Sequence, residues 1–60
     1  MNNLTILAMI KDGLPVKQIA NYHGVKKKAI DYRLKLLRRK HNCSTTVQLI
    51  VKVELKQIEV

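Results

Sequence analysis

Apolar residues fall along this chain in four groups, and the spacing within each group predicts an element. Leu4, Ile6, Leu7 and Ile10 recur at helical intervals, with Asn2 or Asn3 ahead of them to cap free backbone N–H groups. Gly13 follows as a stop, because glycine takes up the left-handed conformation past a helix end. A first helix is expected from about Asn3 to Asp12. Pro15 suits the first turn of a second helix, where its missing N–H costs nothing. That helix is expected from Val16 to His23, with Ile19 and Ala20 pointing inward and Gly24 ending it. A third helix begins near Lys26 or Lys27 and runs on to Lys40. Ile30, Leu34 and Leu37, four and three apart, lie on one of its faces. Lys27, Lys28, Asp31, Lys35 and Arg38 fall on the opposite side.

The fourth group reads two ways. Thr45, Val47, Leu49, Val51, Val53 and Leu55 alternate with more polar residues, as in a strand, and the β-branched content favours that reading. Val47, Ile50, Val51, Leu55 and Ile58 fit a helical face equally well, with Ser44 or Thr45 as a cap, over Thr45 to about Lys56. Periodicity alone does not separate the two.

Two short helices joined by a tight turn that contains glycine form the helix-turn-helix arrangement, in which the second helix of the pair enters a groove of duplex DNA. Charge points to the same helix. The chain carries a formal charge of +8, with twelve Lys and Arg against four Asp and Glu. Residues 1–25 hold Lys11, Lys17 and Asp12, a net +1. Residues 42–60 hold Lys52, Lys56, Glu54 and Glu59, a net zero. Residues 26–41 hold Lys26, Lys27, Lys28, Arg33, Lys35, Arg38, Arg39 and Lys40 against Asp31 alone, a net +7. Charge concentrated in one segment marks a surface for a polyanion rather than general solubility. A lysine also opposes the positive end of a helix dipole, so lysines at the start of the third helix serve a partner, not the helix.

Size narrows the choices further. Sixty residues make one domain, and a chain of this length buries only about 60% of its unfolded surface, which is marginal. The single cysteine, Cys43, allows no internal disulfide, and His23 and His41 with one cysteine do not match a zinc-finger spacing. Oligomerisation is the remaining aid. No metal or cofactor is expected. No serine, histidine and acid constellation can be assembled, and no glycine-rich phosphate loop is present, so an enzyme is not expected. Met1–Ile10 lacks the basic start and cleavage site of a signal peptide, and no apolar run reaches the ~20 residues that span a membrane. A lone cysteine fits a reducing cytoplasm, with the nucleoid as the place of work for a DNA-binding chain.

Gly13-Leu14, Ile19-Ala20, Gly24-Val25, Ile30, Leu37 and the run from Lys40 to Leu49 resemble the LuxR/GerE/FixJ-type helix-turn-helix DNA-binding domain. That family reads G-L-S-x-x-E-I-A-x-x-L-G-I-S-x-x-T-V-x-x-H, and the spacing here holds without a gap from about Leu4 to Val53. The resemblance implies an all-α, four-helix domain whose third helix reads DNA and whose fourth helix dimerises, and so favours helix over strand at Thr45–Lys56. Positions that contact bases in the family match Asp31, Tyr32 and Lys35, while Lys27 and Lys28 match the beginning of the recognition helix. The chain departs from the pattern at several points. Pro15 and Lys26 stand where the family has serine-type caps, Ala29 replaces a threonine, Arg33 the histidine and Thr46 an arginine. His23 and His41 each take a leucine position. The family's N-terminal L-T-x-R-E segment is absent, so the resemblance leads one to expect a divergent, stand-alone member with no receiver or ligand-binding domain attached.

These residues carry competing roles. Lys35 can donate to guanine O6 and N7 or to a phosphate; Asp31 can accept from a cytosine amino group or pair with Lys27 and Lys35, each four residues away. Tyr32 can touch a thymine methyl or a phosphate, or pack on the second helix. Lys26, Lys27, Lys28, Arg38, Arg39 and Lys40 read as phosphate contacts, which set register without reading sequence. Val47, Ile50, Val51, Leu55 and Ile58 read as the dimerisation face. A small bacterial or phage-like transcription regulator that binds duplex DNA as a homodimer is therefore expected. The alternative is an adaptor whose basic face binds an acidic partner, such as an RNA polymerase subunit or another regulator. Single-stranded RNA is disfavoured, since Tyr22 and Tyr32 are the only aromatic rings available for stacking, His23 and His41 apart.

Overall fold

Asn2 starts the fold by the capping its position suggests. In the computed structural model, which describes Met1–Val60, its Oδ1 accepts from the backbone N–H of Leu4 at 2.8 Å and of Thr5 at 3.2 Å. Four helices follow: α1 (Asn3–Lys11), α2 (Val16–His23), α3 (Lys27–Lys40) and α4 (Thr46–Glu54), with no strand. Two helices open without a side-chain cap. Pro15 and Lys26, both extended, precede α2 and α3 and offer only their carbonyls, Pro15 to Gln18 and Ile19 and Lys26 to Ala29. At α4 the Thr45 hydroxyl accepts from the Gln48 N–H at 3.1 Å while the Gln48 Oε1 accepts from the Ser44 N–H at 2.6 Å. This is a capping box whose return bond falls one residue early.

All four helices stop in the same way. A residue with positive φ (Gly13, Gly24, Asn42, Lys56) follows each helix, and the N–H of the next residue reaches back to a carbonyl five residues earlier. The bonds are Leu14 to Met9, Val25 to Ala20, Cys43 to Arg38 and Gln57 to Lys52, at 2.8–3.1 Å. Leu14, Val25 and Cys43 then fold against the core, which is the apolar contact that usually accompanies this stop. The fourth stop falls at Lys56 (φ 58°), a residue with no preference for that conformation, and it ends α4 at Glu54 rather than at the expected Lys56.

Eight residues form the core: Ile6 and Leu7 from α1, Ile19 and Ala20 from α2, Ile30, Leu34 and Leu37 from α3, and Leu49 from α4. Helix α3 supplies the most, with α2 and α4 against it and α1 against α2. Of the alternating set at the fourth element only Leu49 is buried, so a strand face is not what the core uses. A capped helix places Leu49 inward with Ile50 and Val53 beside it. One expectation on α1 fails. Leu4 does not join its inner face but stays 53% exposed, at the edge of an open groove that it lines with Ile50 and Val53 of α4.

Candidate nucleic-acid interface

The turn between α2 and α3 is Gly24-Val25-Lys26. Gly24 has φ +67° with open space where a Cβ would stand, so backbone conformation, not crowding, calls for glycine here. Val25 tucks into the core, and Lys26 is turned out to solvent. The turn sets α3 with its Ile30–Leu34–Leu37 face on the core and its other side open. At 14 residues α3 is about 21 Å long, a length that fits a major groove roughly 12 Å wide.

Lys26, Lys27, Lys28, Asp31, Tyr32, Lys35, Arg39 and Lys40 are all exposed, with Tyr32 62% accessible. Lys28, Tyr32, Lys35 and Arg39 share the arc farthest from the core, and Asp31 borders it. No carboxylate neutralises this arc. The one ion pair of the molecule joins Lys11 to Glu54, so Asp31 pairs with neither Lys27 nor Lys35. Tyr32 does not pack on α2. Lys26 provides no side-chain cap, which leaves the first-turn amides of α3 unclaimed by any side chain beside Lys27 and Lys28. Free amides at a helix start suit an anion such as a phosphate. At the other end Arg38, Arg39 and Lys40 complement the negative end of the helix dipole.

Arg38 departs from its expected place. It is half-buried, and its Nη1 donates to the Thr46 hydroxyl at 2.9 Å, tying α3 to the first turn of α4. Arg38 stands four residues on from Leu34, at the border of the apolar face, from which its guanidinium reaches the first turn of α4. Arg33 is likewise half-buried and donates to the Asn3 Oδ1 at 2.9 Å, tying α3 to α1. Sequence reasoning gave neither arginine this role. Leu36, 44% exposed and off the Ile30–Leu34–Leu37 face, was the visible sign of a further surface on α3.

The expected dimerisation residues divide. Val47, Val51 and Leu55, spaced by four, form an exposed stripe along α4 at 70, 45 and 62% accessibility. Ile50 and Ile58 are half-buried and pack on the core instead, so they support α4 from beneath rather than standing in the stripe. Lys52 donates to the His41 carbonyl at 3.2 Å, closing the end of α3. Cys43 is half-buried against the core, with its Sγ 3.6 Å from the same carbonyl. His23 and His41 are half-buried, and each buries its Nε2 with no hydrogen-bond partner.

No cluster of three His, Cys, Asp or Glu side chains could hold a metal ion, and no helix is long and apolar enough to cross a membrane. Comparison with protein-family models, with curated proteins and with solved structures finds no match to this chain.

Proposed function

We propose that this protein is a small transcription regulator of the LuxR/GerE/FixJ type, which binds duplex DNA with α3 in the major groove and acts as a homodimer joined along α4. The observation that carries the reading is the open side of α3. Lys27, Lys28, Lys35, Arg39 and Lys40, with Lys26 from the turn, stand free of any internal ion pair on a helix of groove-fitting length. Lys35 is the base reader, with Asp31 and Tyr32 beside it. Lys26, Lys27, Lys28, Arg39 and Lys40 hold phosphates. Arg38, bonded to Thr46, sets the angle of α3 against α4.

The α4 stripe completes the proposal. A single module of this kind buries roughly 600–1,000 Å² on DNA, too little for tight specific binding alone. Val47, Val51 and Leu55 offer an apolar contact in the one part of the chain with no net charge, so two +8 protomers meet there with the least repulsion. The test is selection of bound sites from random duplexes, followed by titration at two salt concentrations. A two-fold symmetric site, with affinity falling steeply with salt, is the expected result. Duplex binding that is absent even at low salt would refute the proposal and leave the adaptor reading in its place.

A further inference from the structure

Beside the basic arc of α3 lies an apolar groove of about 420 Å³, where the N-terminal residues run along the helix. Met1, Ala29, Tyr32 and Leu36 line it; Met1 is 49% exposed and Leu36 44%. Arg33 and Lys40 stand on it, and no acidic residue does. The bond from Arg33 to Asn3 fixes one of these cations at the edge. A duplex has no use for this lining, since phosphates gain nothing from Met1 and Leu36.

We propose that this groove docks an acidic amphipathic helix of a partner protein. The apolar lining takes leucine-like side chains spaced three and four apart, and flanking carboxylates meet Arg33 and Lys40. Ala29 to Lys40 spans about 16 Å, enough for three turns of such a helix. Charge decides against a second copy of this chain, because two +8 molecules would have to meet through their most basic helices. The groove shares Tyr32 and Lys40 with the proposed DNA face. A major groove about 12 Å wide admits one helix 10–12 Å across, not two side by side. The docked helix and the duplex therefore exclude each other. That exclusion rests on the DNA reading, whereas the docking itself does not.

The probe is a fluorescein-labelled peptide of about 12 residues, with leucines at helical spacing and glutamates on their flanks. Two control peptides have the leucines replaced by serine or the glutamates by lysine. Anisotropy titrations use the full chain, wild type and three variants, each checked for helicity by circular dichroism. Binding of the leucine–glutamate peptide alone is expected, weakened about tenfold or more by Leu36→Ser and by Lys40→Glu. Lys17→Glu makes the same charge change on the exposed side of α2 and should leave binding unaltered. Equal binding of the serine peptide would overturn the proposal, reducing it to general attraction to a basic helix. So would peptide binding indifferent to Leu36→Ser, or a Leu36→Ser effect confined to self-association of the chain. A peptide that binds as expected but does not displace duplex DNA would uphold the docking and refute the placement of DNA on α3. DNA binding intact with no peptide binding would do the reverse.

Discussion

Replacing His41 or His23 by leucine should stabilise this protein. His23 is the last residue of α2 and His41 follows α3, and each buries its Nε2 without a partner. A neutral imidazole carries one donor and one acceptor nitrogen, so in either tautomer the buried atom is stranded. An unsatisfied buried polar group costs about 1–3 kcal/mol. Leucine removes that atom and keeps comparable bulk. At His41 little is lost in exchange, because the bonds there are to its backbone carbonyl, which the substitution leaves in place. At His23 the ring stands edge-on to Tyr22, with centroids 4.9 Å apart, a contact of about 0.5–1.5 kcal/mol at most since Tyr22 is 70% exposed. His41→Leu should therefore gain about 1–2 kcal/mol and His23→Leu less than about 1 kcal/mol. In a domain of this size about 1 kcal/mol moves Tm by 4–8 °C. His23 precedes α3 and His41 follows it, with a helix about 21 Å long between them, so the gains should add within about 0.5 kcal/mol. Thermal and urea unfolding followed by circular dichroism, at one fixed protein concentration, measures both. An unchanged or lowered Tm in both variants would refute the reasoning, since the nitrogens would then have been satisfied all along.

Further outcomes follow from the same structure. Lys35→Ala should cost about 1–3 kcal/mol on the selected DNA site and abolish the preference for one guanine; equal losses on that site and on a version lacking the guanine would make Lys35 a phosphate contact. Val51→Glu should convert a dimer to a monomer and weaken DNA binding, and a wild-type protein that sediments as a monomer at high micromolar concentration would contradict it. A double-mutant cycle on Arg38→Met and Thr46→Val should give a coupling of about 0.5–1.5 kcal/mol in stability; no coupling, with a salt slope of DNA binding reduced by about one, would return Arg38 to the phosphates. Glu54 raises the Lys11 pKa above its ordinary 10.5, first through a side-chain hydrogen bond and then through charge. The small stability this gives is full below pH 10.5 and disappears as pH climbs through the raised value, so Glu54→Gln should shallow the alkaline loss of stability. Superimposable alkaline limbs in the two proteins would refute that.

The first three helices were legible because two independent signals agreed in each. Apolar residues recur at helical spacing within them, and Gly13 and Gly24 stand where the first two must stop, while the third carries its lysines and arginines away from Ile30, Leu34 and Leu37. The fourth was not legible from periodicity, because Val47, Leu49, Val51 and Val53 satisfy both periods; the resemblance favoured a helix there, and a helix, Thr46–Glu54, is what the chain forms. Its end was hidden for another reason: Lys56 adopts a left-handed conformation that its side chain does not advertise. The exposed lysines were readable from charge and face together. Arg33 and Arg38 were not, since a helical face places a Cβ and leaves a long side chain free to cross to another element. The groove was illegible except through Leu36, because it exists only once Met1 and Asn3 are laid against α3.

Each helix of this protein leans chiefly on its neighbour in sequence, α1 on α2, α2 on α3 and α3 on α4, across short connections. Little loop-closure entropy opposes such contacts, and helical chains built from them fold in microseconds to milliseconds. Seven of the eight core residues belong to the first three helices, and α4 contributes Leu49 alone. The last helix therefore has the smallest share of the core. Its amides should exchange with solvent ahead of those in α3, which hydrogen exchange would measure. Whatever covers the α4 stripe holds down the part of the fold that would otherwise lift first.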